Sequence, residues 1–133
     1  MRTKRCTPEI LGGRLSKAEQ FWEVAAMVRD LADEQDPSEI GDAYVTLCVH
    51  AGIAAADALC CSGLGEHAQG ENHTDAVELL GRVDKDAARA LRALLALKTK
   101  AGYSHTSATA EEFKRAGRSA EALVLRARRG TPS

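Results

Sequence analysis

The sequence predicts an all-α fold, an up-and-down bundle of four long helices and one short helix. Three observations predict it. Capping residues recur ahead of apolar runs, the apolar positions repeat at spacings of three and four, and no segment shows strand-like alternation or an internal repeat. At 133 residues the chain is about one domain, long enough to bury a core without disulfides or metal. The expected organisation is a flexible N-terminal segment over 1–15, one helical domain over 16–128 and a fraying tail over 129–133.

The first helix is expected to start at Ser16, which forms a capping-box pattern with Glu19 and has Leu15 at the staple position before it. It runs to about Glu34, with Phe21, Val24, Ala25, Val28, Leu31 and Ala32 on one face. Asp36-Pro37-Ser38-Glu39 repeats the start signal, with proline at the first helical position. The second helix is the spine. Its residues Ile40, Tyr44, Leu47, Ala51, Ala54, Ala58 and Cys61 form a seam, beside a stripe of Val45, Cys48, Gly52, Ala56 and Leu59. A helix apolar nearly all round belongs inside a bundle, and its alanines and Gly52 let a neighbour come close. The polar exceptions Asp42, Thr46, His50 and Asp57 form a narrow stripe that faces water, a cleft or a second subunit.

Residues 63–71 are glycine-broken and polar, hence a loop. A short third helix covers about His73 to Leu80 and stops at Gly81. Asp84 caps the fourth, whose core face is Ala87, Ala88, Leu91, Leu94 and Leu95, with Arg82, Lys85, Arg89 and Arg92 along another side. Gly102 ends it. Thr109 with Glu112 is a further capping box, and the fifth helix extends to about Arg128, packing through Phe113, Ala116, Gly117, Ala120, Leu123, Val124 and Ala127.

No stretch is read as a membrane span, and Met1-Arg2-Thr3-Lys4-Arg5 is not followed by an apolar signal core, so the expected location is the cytoplasm, with no membrane partner. Cys6, Cys48, Cys60 and Cys61 are expected as small buried hydrophobes rather than a disulfide framework. Formal net charge is −1, but residues 1–81 carry 6 Lys+Arg against 14 Asp+Glu and residues 82–133 carry 12 against 5. Either an acidic helical hairpin packs beside a basic one, or the basic half also meets a polyanion such as RNA.

Cys60, Cys61, His67 and His73 are close in sequence, yet no pair has the spacing of a zinc knuckle or of His-Glu-x-x-His, so no metal and no cofactor is expected. No P-loop, dinucleotide fingerprint or nucleophile elbow appears. His50, on an apolar helix, is expected as a satisfied core or cleft histidine, and Asp57 is too far along the helix to pair with it, though each could meet something on the fourth or fifth helix. The segment Leu97-Lys98-Thr99-Lys100-Ala101-Gly102-Tyr103-Ser104-His105 has two readings. One is an ordinary helix end, its lysines favouring the negative end of the dipole. The other makes His105 an acid or base near a fixed cation for a phosphate.

Several runs, taken together, resemble the HEPN superfamily, most closely its small stand-alone actinobacterial members. They are His50-Ala51-Gly52-Ile53-Ala54-Ala55-Ala56-Asp57-Ala58-Leu59, the glycine loop and histidine-bearing short helix, Leu94-Leu95-Ala96-Leu97-Lys98 leading to Ala101-Gly102-Tyr103-Ser104, and Glu121-Ala122-Leu123-Val124. The resemblance covers about residues 17–127. It implies an up-and-down bundle that pairs into a homodimer, in a toxin–antitoxin or defence context. In catalytic members an arginine and a histidine with four to six residues between them form a metal-independent RNA-cleaving site at the subunit interface. By position this motif falls on Lys98 or Lys100 followed by His105. Lysine keeps the charge and loses the planar two-pronged donor. The tyrosine that toxin members carry two residues beyond the histidine is Ser107 here, while Tyr103 precedes the histidine.

With these departures the resemblance implies a non-catalytic module that binds RNA, a nucleotide or a partner protein, with His50, Asp57 and Tyr103 at a cleft. The alternatives are a metal-independent ribonuclease using His105 with Lys98 or Lys100, and a structural or regulatory helical adaptor.

Overall fold

A computed structural model describes residues 1–32, 36–70 and 72–130. In order they form β1 (Thr3–Arg5), α1 (Pro8–Leu31), α2 (Pro37–Leu64), β2 (Glu66–Ala68), α3 (His73–Gly81), α4 (Lys85–Tyr103) and α5 (Ala110–Gly130). The fold is mostly helical, as expected. α2 is the centre, packing on α1, α4 and α5, while α3 lies on α4 and closes one end of the α2–α4 seam.

Local capping chemistry places most helix starts. Asp36 accepts from Ser38 N–H at 3.0 Å, Asn72 from Asp75 N–H at 3.2 Å and Asp84 from Ala87 N–H at 3.0 Å. The Thr109–Glu112 box is complete: Glu112 N–H donates to Thr109 Oγ1 at 3.1 Å and Thr109 N–H to Glu112 Oε1 at 2.9 Å. α2 ends at Gly65 with φ 74°, a left-handed cap that favours glycine. α4 does not stop at Gly102 but continues through Tyr103 to an extended Ser104.

α1 departs most from expectation. Thr7 caps it by accepting from Ile10 N–H at 3.2 Å, with Pro8 next, so Ser16 and Glu19 lie inside the helix. The segment expected to be flexible, 1–15, therefore holds a strand and two turns of helix. The expected end near Glu34 lies outside the described residues. The buried line of α1 is Ala18, Trp22 and Ala25, whereas Val24 and Leu31 are exposed. Trp22 carries the largest apolar area on the helix and centres the buried line; of the expected face Ala25 stays buried and Phe21 and Val28 pack against the core, while Val24 and Leu31 turn to solvent. At the other end, Arg129 and Gly130 continue α5, and 131–133 lie outside the described residues.

Two further corrections concern the N-terminus. β1 pairs antiparallel with β2, Lys4 opposite His67, so the 63–71 loop contains a strand. Cys6 and Cys61 form a disulfide, while Cys48 and Cys60 are free and buried. The cysteines are thus not all simple hydrophobes: Cys61 ends the α2 seam beside the strand that brings Cys6.

The core joins Tyr44, Val45, Cys48 and the α2 alanines to Leu91, Leu94 and Leu97 of α4 and Leu123 and Val124 of α5. Gly52 makes room there: a Cβ would run into Leu94, with Leu123 close by. Contrary to the sequence reading, Ser38–Leu64 does have the length and apolarity of a membrane span, with a mean hydropathy of 1.6; most of it is covered by the other helices.

Candidate functional site

The polar stripe of α2 does not share one fate. Asp42 accepts from Ala108 N–H at 2.8 Å and so fastens the α4–α5 connection. Asp57 pairs with α1, not with α4 or α5: Arg14 Nη2 lies 2.9 Å from its Oδ2. Burial raises the Asp57 carboxyl above the usual carboxylate range, against the opposing pull of Arg14 and His67. His50 is exposed rather than a core residue, and its ring stacks on Phe21 of α1 at 5.4 Å.

His50 nevertheless borders a cleft. A cavity of about 240 Å³ is lined by Thr46, Val49, His50, Lys98, Gly102 and Tyr103. It adjoins a second of about 220 Å³, which shares His50 and Lys98 and adds Ile53, Asp57, Asn72, His73 and Leu95. Lys98 stands where the two meet, its Nζ 2.9 Å from His73 Nε2. With the amine charged, the imidazole accepts through Nε2 and carries its own proton on Nδ1. Apolar walls on one side and a fixed cation on the other suit a ligand with an anionic group and an apolar or aromatic body. Tyr103, 81% exposed, stands at the mouth as a free ring face.

His73 continues the depression outward. It also lines a groove of about 660 Å³ between α3 and α4, where Lys85, Arg89 and Arg92 form a basic edge over Val77, Ala88 and Leu95. Among the described residues neither Lys85 nor Arg92 makes an ion pair, and Arg89 holds Asp86 only at 3.6 Å. The opposite charges of the two halves mostly pair within each half, as in Arg14–Asp57, Lys100–Glu112 and Arg126–Asp84; Glu19–Arg128 and Glu78–Arg82 cross between them.

The lysine-to-histidine segment is split. Lys98 points to His73. Lys100 lies 2.7 Å from Glu112 Oε1, and this hydrogen bond, with the Thr109 backbone bond, holds the Glu112 carboxyl down to about 2. His105 is exposed in the connection and makes no hydrogen bond or ion pair among the described residues. Nearby, Thr106 N–H donates to Ser104 Oγ at 3.2 Å. Both lysines thus have partners other than His105. The structure gathers His50, Asp57, Lys98 and Tyr103 around one cleft; sequence reasoning missed His73 as their companion, for its contact with Lys98 crosses 25 residues.

Cys60, Cys61, His67 and His73 do not converge, and the described residues contain no group of three such side chains placed to hold a metal ion. His67 Nδ1 instead lies 3.0 Å from the Ala68 carbonyl. No protein-family model matches this sequence, and no curated protein matches it.

Proposed function

We propose that this chain is a HEPN-like helical module of the cytoplasm that binds a phosphate group of RNA or a nucleotide in the α2–α4 cleft and does not cleave it. One observation carries the reading: Lys98, held at 2.9 Å from His73, stands at the junction of two cavities that His50 also lines. An ammonium in a partly dry cleft binds a phosphate more strongly than one in open water. Tyr103 offers a face on which a base stacks, and the α4 edge of Lys85, Arg89 and Arg92 gives further phosphates a path. The engagement of Lys98 and Lys100 away from His105 favours binding over cleavage.

The module pairs into a homodimer on this reading. Val24, Met27 and Leu31 of α1 are exposed at 40%, 63% and 49% and offer an apolar surface for it. Sedimentation that shows only monomer at micromolar concentration removes the pairing.

Titration with labelled single-stranded RNA and with mononucleotides tests the binding. Wild type is expected to bind one of these, and Lys98→Ala to weaken it about tenfold, the ~1.4 kcal/mol of one charge-assisted contact. Absence of binding to all of them sinks the reading. RNA cleavage by wild type that is lost in His105→Ala overturns its non-catalytic part.

A further inference from the structure

β1 is fastened to the molecule by few contacts besides its disulfide. It contributes three residues, and a two-stranded sheet that short is not stable alone in water. Cys6 N–H donates to the Gly65 carbonyl at 2.8 Å and Gln69 N–H to the Arg2 carbonyl at 2.9 Å, extending the pairing at either end. The Cys6–Cys61 bridge then ties this ribbon to the last turn of α2. The end of β2 and the residues after it form a wall of the cleft: Ala68, Gly70 and Asn72 line the cavity of His73 and Lys98.

The bridge itself is approachable. A groove of about 500 Å³ runs along Cys6, Pro8, Leu11, Leu15 and Cys61. Cys6 is half-buried, while Cys61 is only 6% exposed, so the Cys6 sulfur is the one an incoming thiolate meets. The neighbouring Cys60 does not compete. Burial, with Asp57 and Glu66 adding to it, pushes its thiol up to about 12, and a protonated thiol does not attack a disulfide.

We propose that Cys6–Cys61 is a reversible thiol–disulfide exchange site for a dithiol reductant, and that its state decides whether the β2 wall of the Lys98 cleft is held in place. A thiolate of the dithiol, seated in the groove, attacks Cys6 Sγ. The S–S bond breaks, Cys61 leaves with the electron pair and takes a proton from water, and a mixed disulfide joins Cys6 to the reductant. The second thiol of the reductant, as thiolate, attacks its own partner sulfur in that mixed disulfide and releases Cys6, which is protonated in turn. The reductant departs as a disulfide, and its two electrons reside on the Cys6 and Cys61 thiols. Without the bridge, the three-residue sheet opens and β2 with the residues up to Gly70 loosens. The latch stands on the geometry of the ribbon and its groove; its effect on ligand rests on the binding reading of the cleft.

The experiment treats the native full chain with dithiothreitol, alkylates it without denaturant and maps the label by mass spectrometry. Amide exchange is measured on both redox forms, with titration of each by a labelled single-stranded RNA. The expected result is label on Cys6 and Cys61 and none on Cys48 or Cys60, with exchange at Cys6 and Gln69 at least tenfold faster after reduction and unchanged at Leu123 and Val124. RNA affinity falls severalfold on reduction and returns on reoxidation. The Cys6→Ser variant is expected to match reduced wild type. A bridge that resists dithiothreitol until the protein unfolds, or amides near β2 that do not respond, overturns the latch. If the latch opens while RNA binds both forms equally, the coupling is overturned. RNA that binds neither form removes the binding reading and with it the coupling, while the labelling and exchange results still decide the latch.

Discussion

Lys98 and His73 meet at 2.9 Å across the end of the α2–α4 cleft, joining the last third of α4 to the first residue of α3. The contact makes His73 the residue that aims the ammonium. His73→Phe is therefore expected to weaken RNA binding severalfold, less than Lys98→Ala, because the charge stays while its direction is lost. Fluorescence anisotropy at two salt concentrations checks this: Lys98→Ala lowers the salt slope by about one, as removal of one phosphate contact requires, and His73→Phe leaves it nearly unchanged.

Arg14→Met is expected to lower stability by about 1–2 kcal/mol at pH 7, because it leaves the half-buried Asp57 carboxylate without its partner. The direction of the shift sets the sign with pH. A carboxyl raised above its ordinary value favours the fold while protonated, and this stabilisation is lost as pH rises through its folded value. Without Arg14 the carboxyl rises further. The deficit of the variant is thus largest at neutral pH and shrinks toward pH 4, which urea denaturation at several pH values measures.

Lys100 is expected to matter to the fold and not to the ligand. Glu112, held down to about 2 from an ordinary 4.5, contributes stability that is complete above pH 4.5 and is lost as pH falls toward 2. Lys100→Ala moves that acid transition upward and leaves RNA affinity unchanged. Thr109→Ala, which removes the other half of the capping box, costs about 1 kcal/mol in chemical denaturation. A large loss of RNA affinity in Lys100→Ala would transfer the binding role to this lysine.

Much of this was readable because it is local. Asp36, Asp84 and the Thr109–Glu112 box announce helices within four residues of themselves, and the α2 seam is set by its period. The Ser16–Glu19 pair mimics a helix start inside α1, whereas the true cap is Thr7 ahead of Pro8. The β1–β2 pairing and the Cys6–Cys61 bridge span over fifty residues and leave no periodic trace. The cleft was legible in pieces. His50, Lys98 and Tyr103 stand out in the sequence one by one, but the companion that orients Lys98 comes from another helix; His105 stands out by its nearness to Lys98 and Lys100 and by the resemblance's motif, while both lysines find partners elsewhere.

Gly117→Ala is expected to destabilise by about 2 kcal/mol despite the better helix propensity of alanine. Its Cβ would run into the Tyr44 hydroxyl, and making room displaces a ring that is stacked on Phe113 at 4.0 Å. Thermal denaturation followed by near-ultraviolet circular dichroism reads both the stability and the displaced tyrosine.

Cys48 and Cys60 set an alkaline limit. Burial pushes both thiols up to about 12 from an ordinary 9, so the fold is favoured while they stay protonated, and that stability is lost as pH climbs from 9 toward 12. Replacing both by alanine is expected to flatten the stability profile over this range, as guanidinium midpoints at pH 8, 9 and 10 would show.

The central position of α2 has a consequence for synthesis. Two of the helices that cover it, α4 and α5, come after it in the chain. While a ribosome is still making residues 85–130, a helix with the apolarity of a membrane span stands without those partners. A chain truncated before α4 and α5 is therefore expected to leave this apolar helix uncovered and to aggregate, as the yield of soluble protein from such a truncation would show.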